Sequence, residues 1–141
     1  MMRPEPSVHD NFVYAYTVNC EGRRVTLHTE YRDLQPQEFT DVIFSDVVAH
    51  SFEHVLRANI LFDVEEDDVE SLIQGNAAVF EKSWRWGWPP IEYGGDLALL
   101  IKTLRSQSVR AFTIGSSYGL SGWVLAGSYE RQKRDEPARV A

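Results

Sequence analysis

Phe39-Thr40-Asp41-Val42-Ile43-Phe44-Ser45-Asp46-Val47-Val48-Ala49-His50-Ser51-Phe52-Glu53-His54 is the most β-prone stretch of the chain, and Asn59-Ile60-Leu61-Phe62-Asp63-Val64 follows it closely. Branched and aromatic side chains pack well on a pleated surface, so both stretches read as strands. Thr40, Val42 and Phe44 share one face of the first strand, Phe39, Asp41 and Ile43 take the other, and Ser45-Asp46 offers a turn. The run from Val47 reads two ways. As a strand it points Val48, His50, Phe52 and His54 to one side; as a helix capped by Ser45 or Asp46 it lines up Val47, Val48, Ser51, Phe52, Val55 and Leu56. The β-rich flanks favour the strand, and Ile60, Phe62 and Val64 continue the sheet.

Upstream, residues 1–10 carry two prolines and few apolar groups and read as a mobile lead-in. Phe12, Tyr14, Tyr16, Val18 and Cys20 then alternate with smaller or polar residues, Glu21-Gly22 turns, and Val25, Leu27, Thr29 and Tyr31 alternate again, which predicts a β-hairpin. Residues 32–36 end in a proline that cannot donate to a central ladder, so they form a connector. Cys20, inside the alternating pattern, reads as a small buried thiol.

Downstream, Asp67 and Glu70 have capping-box spacing, and Val69, Leu72, Ile73, Ala77, Phe80 and Trp84 recur at helical intervals. Gly94-Gly95-Asp96 opens a second helix with Leu97, Leu100, Ile101 and Leu104 on one face. Phe112 and Ile114 predict a further strand, and Trp123, Leu125 and Tyr129 another. The glycine- and serine-rich residues 115–122 between them read as a hairpin turn. Residues 131–141 are charged, carry a proline and read as a frayed tail.

The whole reads as one α+β domain over residues 1–141: an antiparallel sheet of about six or seven strands with two helices packed on one face. The expected core includes Tyr14, Val18, Val42, Phe44, Ile60 and Phe62 from strands and Leu72, Phe80 and Leu100 from helices.

A net charge of −7 argues against a nucleic-acid backbone as partner, because such binding draws on clustered Lys and Arg, and favours solubility or a basic protein partner. No apolar run approaches the ~20 residues that span a bilayer. The opening residues contain no apolar signal region and the single cysteine forms no internal disulfide, which together suggest a cytoplasmic protein.

Four motifs bear on chemistry. His50-Ser51-Phe52-Glu53-His54 matches H-x-x-E-H, in which two histidines one helical turn apart hold zinc and the glutamate activates water. That requires a helix; on a strand, four residues span about 13 Å and share no metal. Gly115-Ser116-Ser117-Tyr118-Gly119 matches G-x-S-x-G, yet every histidine precedes it and Leu120-Ser121-Gly122 is a poor helix start, so a hairpin explains its glycines. The acidic cluster Asp63, Glu65, Glu66, Asp67 and Asp68 suits a helix N-terminus better than a calcium loop, for no glycine stands where such a loop must turn. Finally, Trp84, Arg85, Trp86 and Trp88 place three tryptophans in five residues ahead of Pro89-Pro90. They cannot all face one side of a helix, so at least one is expected to lie exposed as an anchor for a protein partner.

The stretches 39–44, 50–54, 59–66 and 116–123 together resemble a group of small uncharacterised bacterial proteins. The compact, acidic, single-domain character is similar in type to immunity proteins of bacterial toxin systems; the expected role is that of a non-catalytic binding protein whose acidic surface and tryptophan loop engage another protein, with no cofactor expected. The alternatives are a small metal-dependent hydrolase using His50, Glu53 and His54, and a small-ligand binder using a cleft beneath Trp86 and Trp88.

Overall fold

The computed structural model describes residues 7–33 and 35–140. Most of the expected lead-in, residues 1–6, and position 34 of the connector lie outside the described residues. The elements run β1 (Phe12–Asn19), β2 (Arg24–Tyr31), β3 (Glu38–Ser45), β4 (Ala49–Glu53), β5 (Ile60–Asp67), α1 (Val69–Gly75), α2 (Ala77–Ser83), a 3₁₀ turn (Trp84–Trp86), α3 (Leu97–Ser106), β6 (Arg110–Tyr118), β7 (Ser121–Ala126) and β8 (Ser128–Arg134). The α+β class stands, with one antiparallel sheet of eight strands in the order β4-β7-β6-β5-β1-β2-β3-β8.

That order forces curvature. β7 and β8 sit near opposite ends of the sheet although only Gly127 joins them, and β3 and β4 are likewise separated across it although three residues connect them. The sheet therefore curls until its ends approach: the Gly127 N–H donates to the Ser45 carbonyl at 3.0 Å and the Val48 N–H to the Leu125 carbonyl at 2.8 Å. Inside the curl lies one core of Val8, Val13, Val25, Leu27, Val42, Phe44, Leu61, Val64, Phe112, Ile114, Leu120, Val124 and Ala126. A second core lies outside it, where Ala49, Ala111, Trp123 and Leu125 meet Leu72, Ile73, Phe80, Tyr93, Leu100 and Leu104. Strand alternation explains the division, for Val124 and Ala126 face inward while Trp123 and Leu125 face the helices. A strand covered on both faces is apolar at consecutive positions, as Trp123-Val124-Leu125-Ala126 is.

Several expectations need correction. The sheet has one strand more than six or seven, because Arg131–Arg134 are not a frayed tail but the second half of β8, paired residue by residue with β3. Charged residues suit an edge strand, where they discourage pairing with other chains. At the other end, Val8 is fully buried, so the mobile lead-in does not extend to it. The single helix from Asp67 is two, since Asn76 ends α1 by donating its side-chain amide to the Leu72 carbonyl at 2.9 Å. The α1 cap is Asp68, which accepts from the Ser71 N–H, while Asp67 is the last residue of β5. Phe62 is 54% exposed rather than core. Register shifts around Leu61 change which β5 side chains face inward, so Leu61 is buried in its stead. The cap on α3 is as expected, with Asp96 accepting from the Ala98 and Leu99 N–H groups.

Candidate functional site

The site is built on β1. One side of this strand pairs with β2 along its whole length, but the other meets β5 only at the rung Phe12↔Ile60. The separation has a local cause. The register shifts between Val13 and Ala15, and the buried Asn59 stands where the next rung would be. Its Oδ1 accepts from the Leu56 and Leu120 N–H groups, both at 2.9 Å, and its Nδ2 donates to the Leu56 carbonyl at 2.8 Å. From Tyr14 to Asn19 the strand then has, among the described residues, a neighbour on one side only.

A groove of about 640 Å³ opens along that free edge. Its floor is Val13–Val18, one wall is Val55, Leu56 and Asn59, and the other is Arg139 and Val140. Tyr16 and Val18 lie opposite Leu27 and Val25 and so share their inward face, yet stand 40% and 39% exposed because β5 has moved away. Val18 is thus not the core residue its alternation suggests. Val55, Leu56 and Val140 are comparably exposed. Tyr16 also packs edge-on against Phe52 of β4, with centroids 5.3 Å apart. The C-terminal segment is pinned where the Ala138 N–H donates to the Tyr14 hydroxyl at 2.8 Å. Burial is the main reason that hydroxyl's pKa is raised.

The tryptophan segment separates into exposed and packed residues. Trp86, in the 3₁₀ turn after α2, is 77% exposed. Arg85 is exposed beside it, with its guanidinium over the Trp84 ring at 5.6 Å. Trp84 is half-buried. Trp88 is half-buried too and stacks on Phe80. The Ser83 hydroxyl donates to the Trp88 carbonyl at 2.6 Å and closes the loop. Only Trp86 and Arg85 of the four therefore offer an open face.

His50 and His54 are not brought together. The segment is strand β4, as the β-rich flanks predicted, and residues four apart on a strand are about 13 Å apart. His50 packs against Phe52 at 5.1 Å, and its burial holds the imidazole below the ordinary histidine range. His54 follows the strand with positive φ and an exposed ring, near Glu53. Among the described residues no group of three His, Cys, Asp or Glu side chains is placed to hold a metal ion. Ser117 is an exposed β6 residue with no helix behind it, so the nucleophile elbow is absent. The acidic cluster is partly neutralised by arginines: Asp63 pairs with Arg131, Glu66 with Arg110 and Asp68 with Arg105.

Sequence reasoning missed a polar chain across four strands, buried at His28 and Asp41 and exposed at its ends, Thr17 and Arg134. His28 Nδ1 donates to Asp41 Oδ1 at 2.9 Å, His28 Nε2 lies 2.9 Å from the Thr17 hydroxyl, and Arg134 donates to Asp41 Oδ2 at 3.1 Å. Hydroxyl, imidazole and carboxylate stand in the order a hydrolase uses. Thr17, however, lies within β1 opposite Thr26 and not on the sharp turn that presents such a nucleophile. The chain ties β1, β2, β3 and β8 together. Sequence reasoning also missed the groove walls, whose one signal was the apolar pair Val55-Leu56 outside any strand period. Cys20 proves exposed, in the turn after β1 rather than buried within it.

No protein family, curated protein or solved structure matches the chain. Among the described residues no helix is long and apolar enough to cross a membrane.

Proposed function

We propose that the chain is a non-catalytic protein-binding module that takes an extended segment of a partner polypeptide into the groove beside β1. The observation that carries this reading is the concentration of Tyr16, Val18, Val55, Leu56 and Val140, all exposed, around one free strand edge. An unpaired edge offers a row of backbone donors and acceptors that an incoming strand satisfies, while alternate side chains enter apolar pockets. The chain's own Arg139 and Val140, outside any helix or strand, already line the groove. Trp86 and Arg85 supply a second contact surface of the kind that dominates binding hot spots. Neutralising a basic toxin in the manner of an immunity protein is one form of this reading, supported by the net charge of −7.

The test is a photoreactive amino acid placed at Val18, with exposed Val79 on α2 as the control position. A partner crosslinked from Val18 and not from Val79, whose purified form loses affinity for Val18→Lys while the variant keeps its melting temperature, supports the reading. Equal crosslinking from both positions, or undiminished affinity of the lysine variant, overturns it.

A further inference from the structure

A second concavity lies where the β1–β2 turn meets the connector from β3 to β4. It encloses about 200 Å³. Val25, Val47, Val48, Ala49 and Trp88 give it an apolar lining, and Arg23, Arg24 and His50 supply its polar groups. Its backbone is held in place: the Arg23 N–H donates to the Cys20 carbonyl at 3.2 Å, and the Arg23 carbonyl accepts from the Val47 N–H at 2.8 Å.

Two adjacent arginines without a carboxylate partner among the described residues line this cleft. Arg32, Arg105, Arg110, Arg131 and Arg134 each pair with a carboxylate. Arg23 and Arg24, like Arg57, Arg85 and Arg139, pair with none among the described residues, although the chain carries seven more formal negative than positive charges. The carboxylates nearest in sequence, Glu21 and Asp46, do not line the cleft. Two arginines lining a largely apolar cleft offer a site for an oxyanion joined to a non-polar body, since guanidinium matches phosphate and carboxylate with paired N–H donors. The half-buried Trp88 indole provides a flat surface for that body.

We propose that this cleft binds a small organic oxyanion, with Arg23 and Arg24 holding a phosphate or carboxylate group and Trp88 covering the planar or apolar part. The volume is below the ~300–1,000 Å³ typical of drug-sized ligands, which limits the occupant to a small metabolite-sized molecule. His50, uncharged at neutral pH because burial lowers its pKa, meets the ligand as a hydrogen-bonding group and not as a third cation. The site shares only Val18 with the groove beside β1, so substitutions at Arg23 and Arg24 leave the groove's own lining intact.

Phenyl phosphate serves as the probe, titrated into the full chain at low salt while the Trp88 indole N–H is followed by NMR. The expected result is saturable binding at least about tenfold tighter than that of phenol or of inorganic phosphate, since each supplies only half of the contacts. It should weaken about tenfold or more in Arg23→Gln/Arg24→Gln and in each single variant measurably, but not in Arg57→Gln, which removes an exposed charge elsewhere. Salt should weaken it, because the interaction is largely ionic. The absence of saturable shifts below about 10 mM, equal affinity for inorganic phosphate or phenol, or unchanged affinity in both single variants overturns the proposal. If the double variant does not fold, the two single variants decide the matter by themselves.

Discussion

The Phe80 ring and the Trp88 indole lie parallel, with an interplanar angle of 2° and centroids 5.6 Å apart. Trp123 closes on both from the sheet, at 5.5 Å and 5.8 Å. This stack joins the loop after α2 to the outer core, so Trp88 belongs to the fold and Trp86 to the surface. Trp88→Ala is expected to cost about 2–4 kcal/mol, at or below the range for fully buried tryptophan. Trp86→Ala should stay within about 0.5 kcal/mol of the parent. Thermal denaturation of both variants checks the division; a larger loss for Trp86→Ala would reverse it.

Asp41 is expected to be the most sensitive member of the polar chain. It is 4% exposed and serves two donors, His28 and Arg134. Removing it in Asp41→Ala leaves the His28 N–H without its acceptor, at a cost of about 2–4 kcal/mol. Arg134→Ala, whose side chain is 39% exposed, should cost less than about 1 kcal/mol. Urea melts of the two variants measure the difference, and equal losses would show that the carboxylate's burial has little energetic consequence.

Stability should fall on mild acidification because of His50. Its folded pKa is lowered by burial, while the unfolded chain titrates near the ordinary value of about 6.5. Above that pH the ring is neutral in both states. Below it the unfolded chain takes up a proton that the folded chain resists, so stability declines as pH falls towards the folded pKa. Glu66 and Asp68, whose pKa values are lowered by hydrogen bonds from Arg110 and Arg105, act at lower pH. Melting temperatures between about pH 7 and pH 5.5 should drop less steeply for His50→Gln than for the parent. Parallel slopes would count against burial of the imidazole.

Two glycines should respond in opposite directions to a methyl group. A Cβ at Gly122 would overlap the Ser51 carbonyl oxygen across the β4–β7 pair, so Gly122→Ala is expected to cost about 3 kcal/mol or more. At Gly75, the last residue of α1, a Cβ meets open space. Gly75→Ala should therefore stabilise by about 0.5–1 kcal/mol, by narrowing the unfolded ensemble and favouring the helix. Calorimetry of the pair tests both signs.

Much of the architecture was legible because local chemistry agreed with the fold. The β1–β2 hairpin, the strand over 49–53, the Asp96 cap and the β6–β7 hairpin all follow from alternation, turn residues or capping chemistry. What failed did so for identifiable reasons. Arg131–Arg134 look like a tail because nothing in their composition reveals that β3 needs a partner. Phe62 and Val18 look like core because an alternating pattern cannot show a bulge or a strand leaving its neighbour.

The candidate sites were less legible. The exposed Trp86 followed from the crowding of three tryptophans, but that Trp88 stacks on Phe80 depends on how α2 meets the sheet. The groove beside β1 joins residues 13–18 with 55, 56, 59, 139 and 140, and the cleft joins residues 18–25 with 47–50 and Trp88. No local pattern links segments so far apart.

By itself the sequence determined the α+β class, the main strands and the Asp96 cap of α3, because side-chain period and capping act over a few residues. It also indicated that the HSFEH segment, flanked by strands, does not form the helical face a shared metal requires. Only the tertiary structure decided the order of the strands, the curl that closes the sheet, and the parting of β1 from β5 around Asn59. Those depend on which distant surfaces bury one another, and it is there that the free edge, the buried histidine and the unpaired arginines acquire their places.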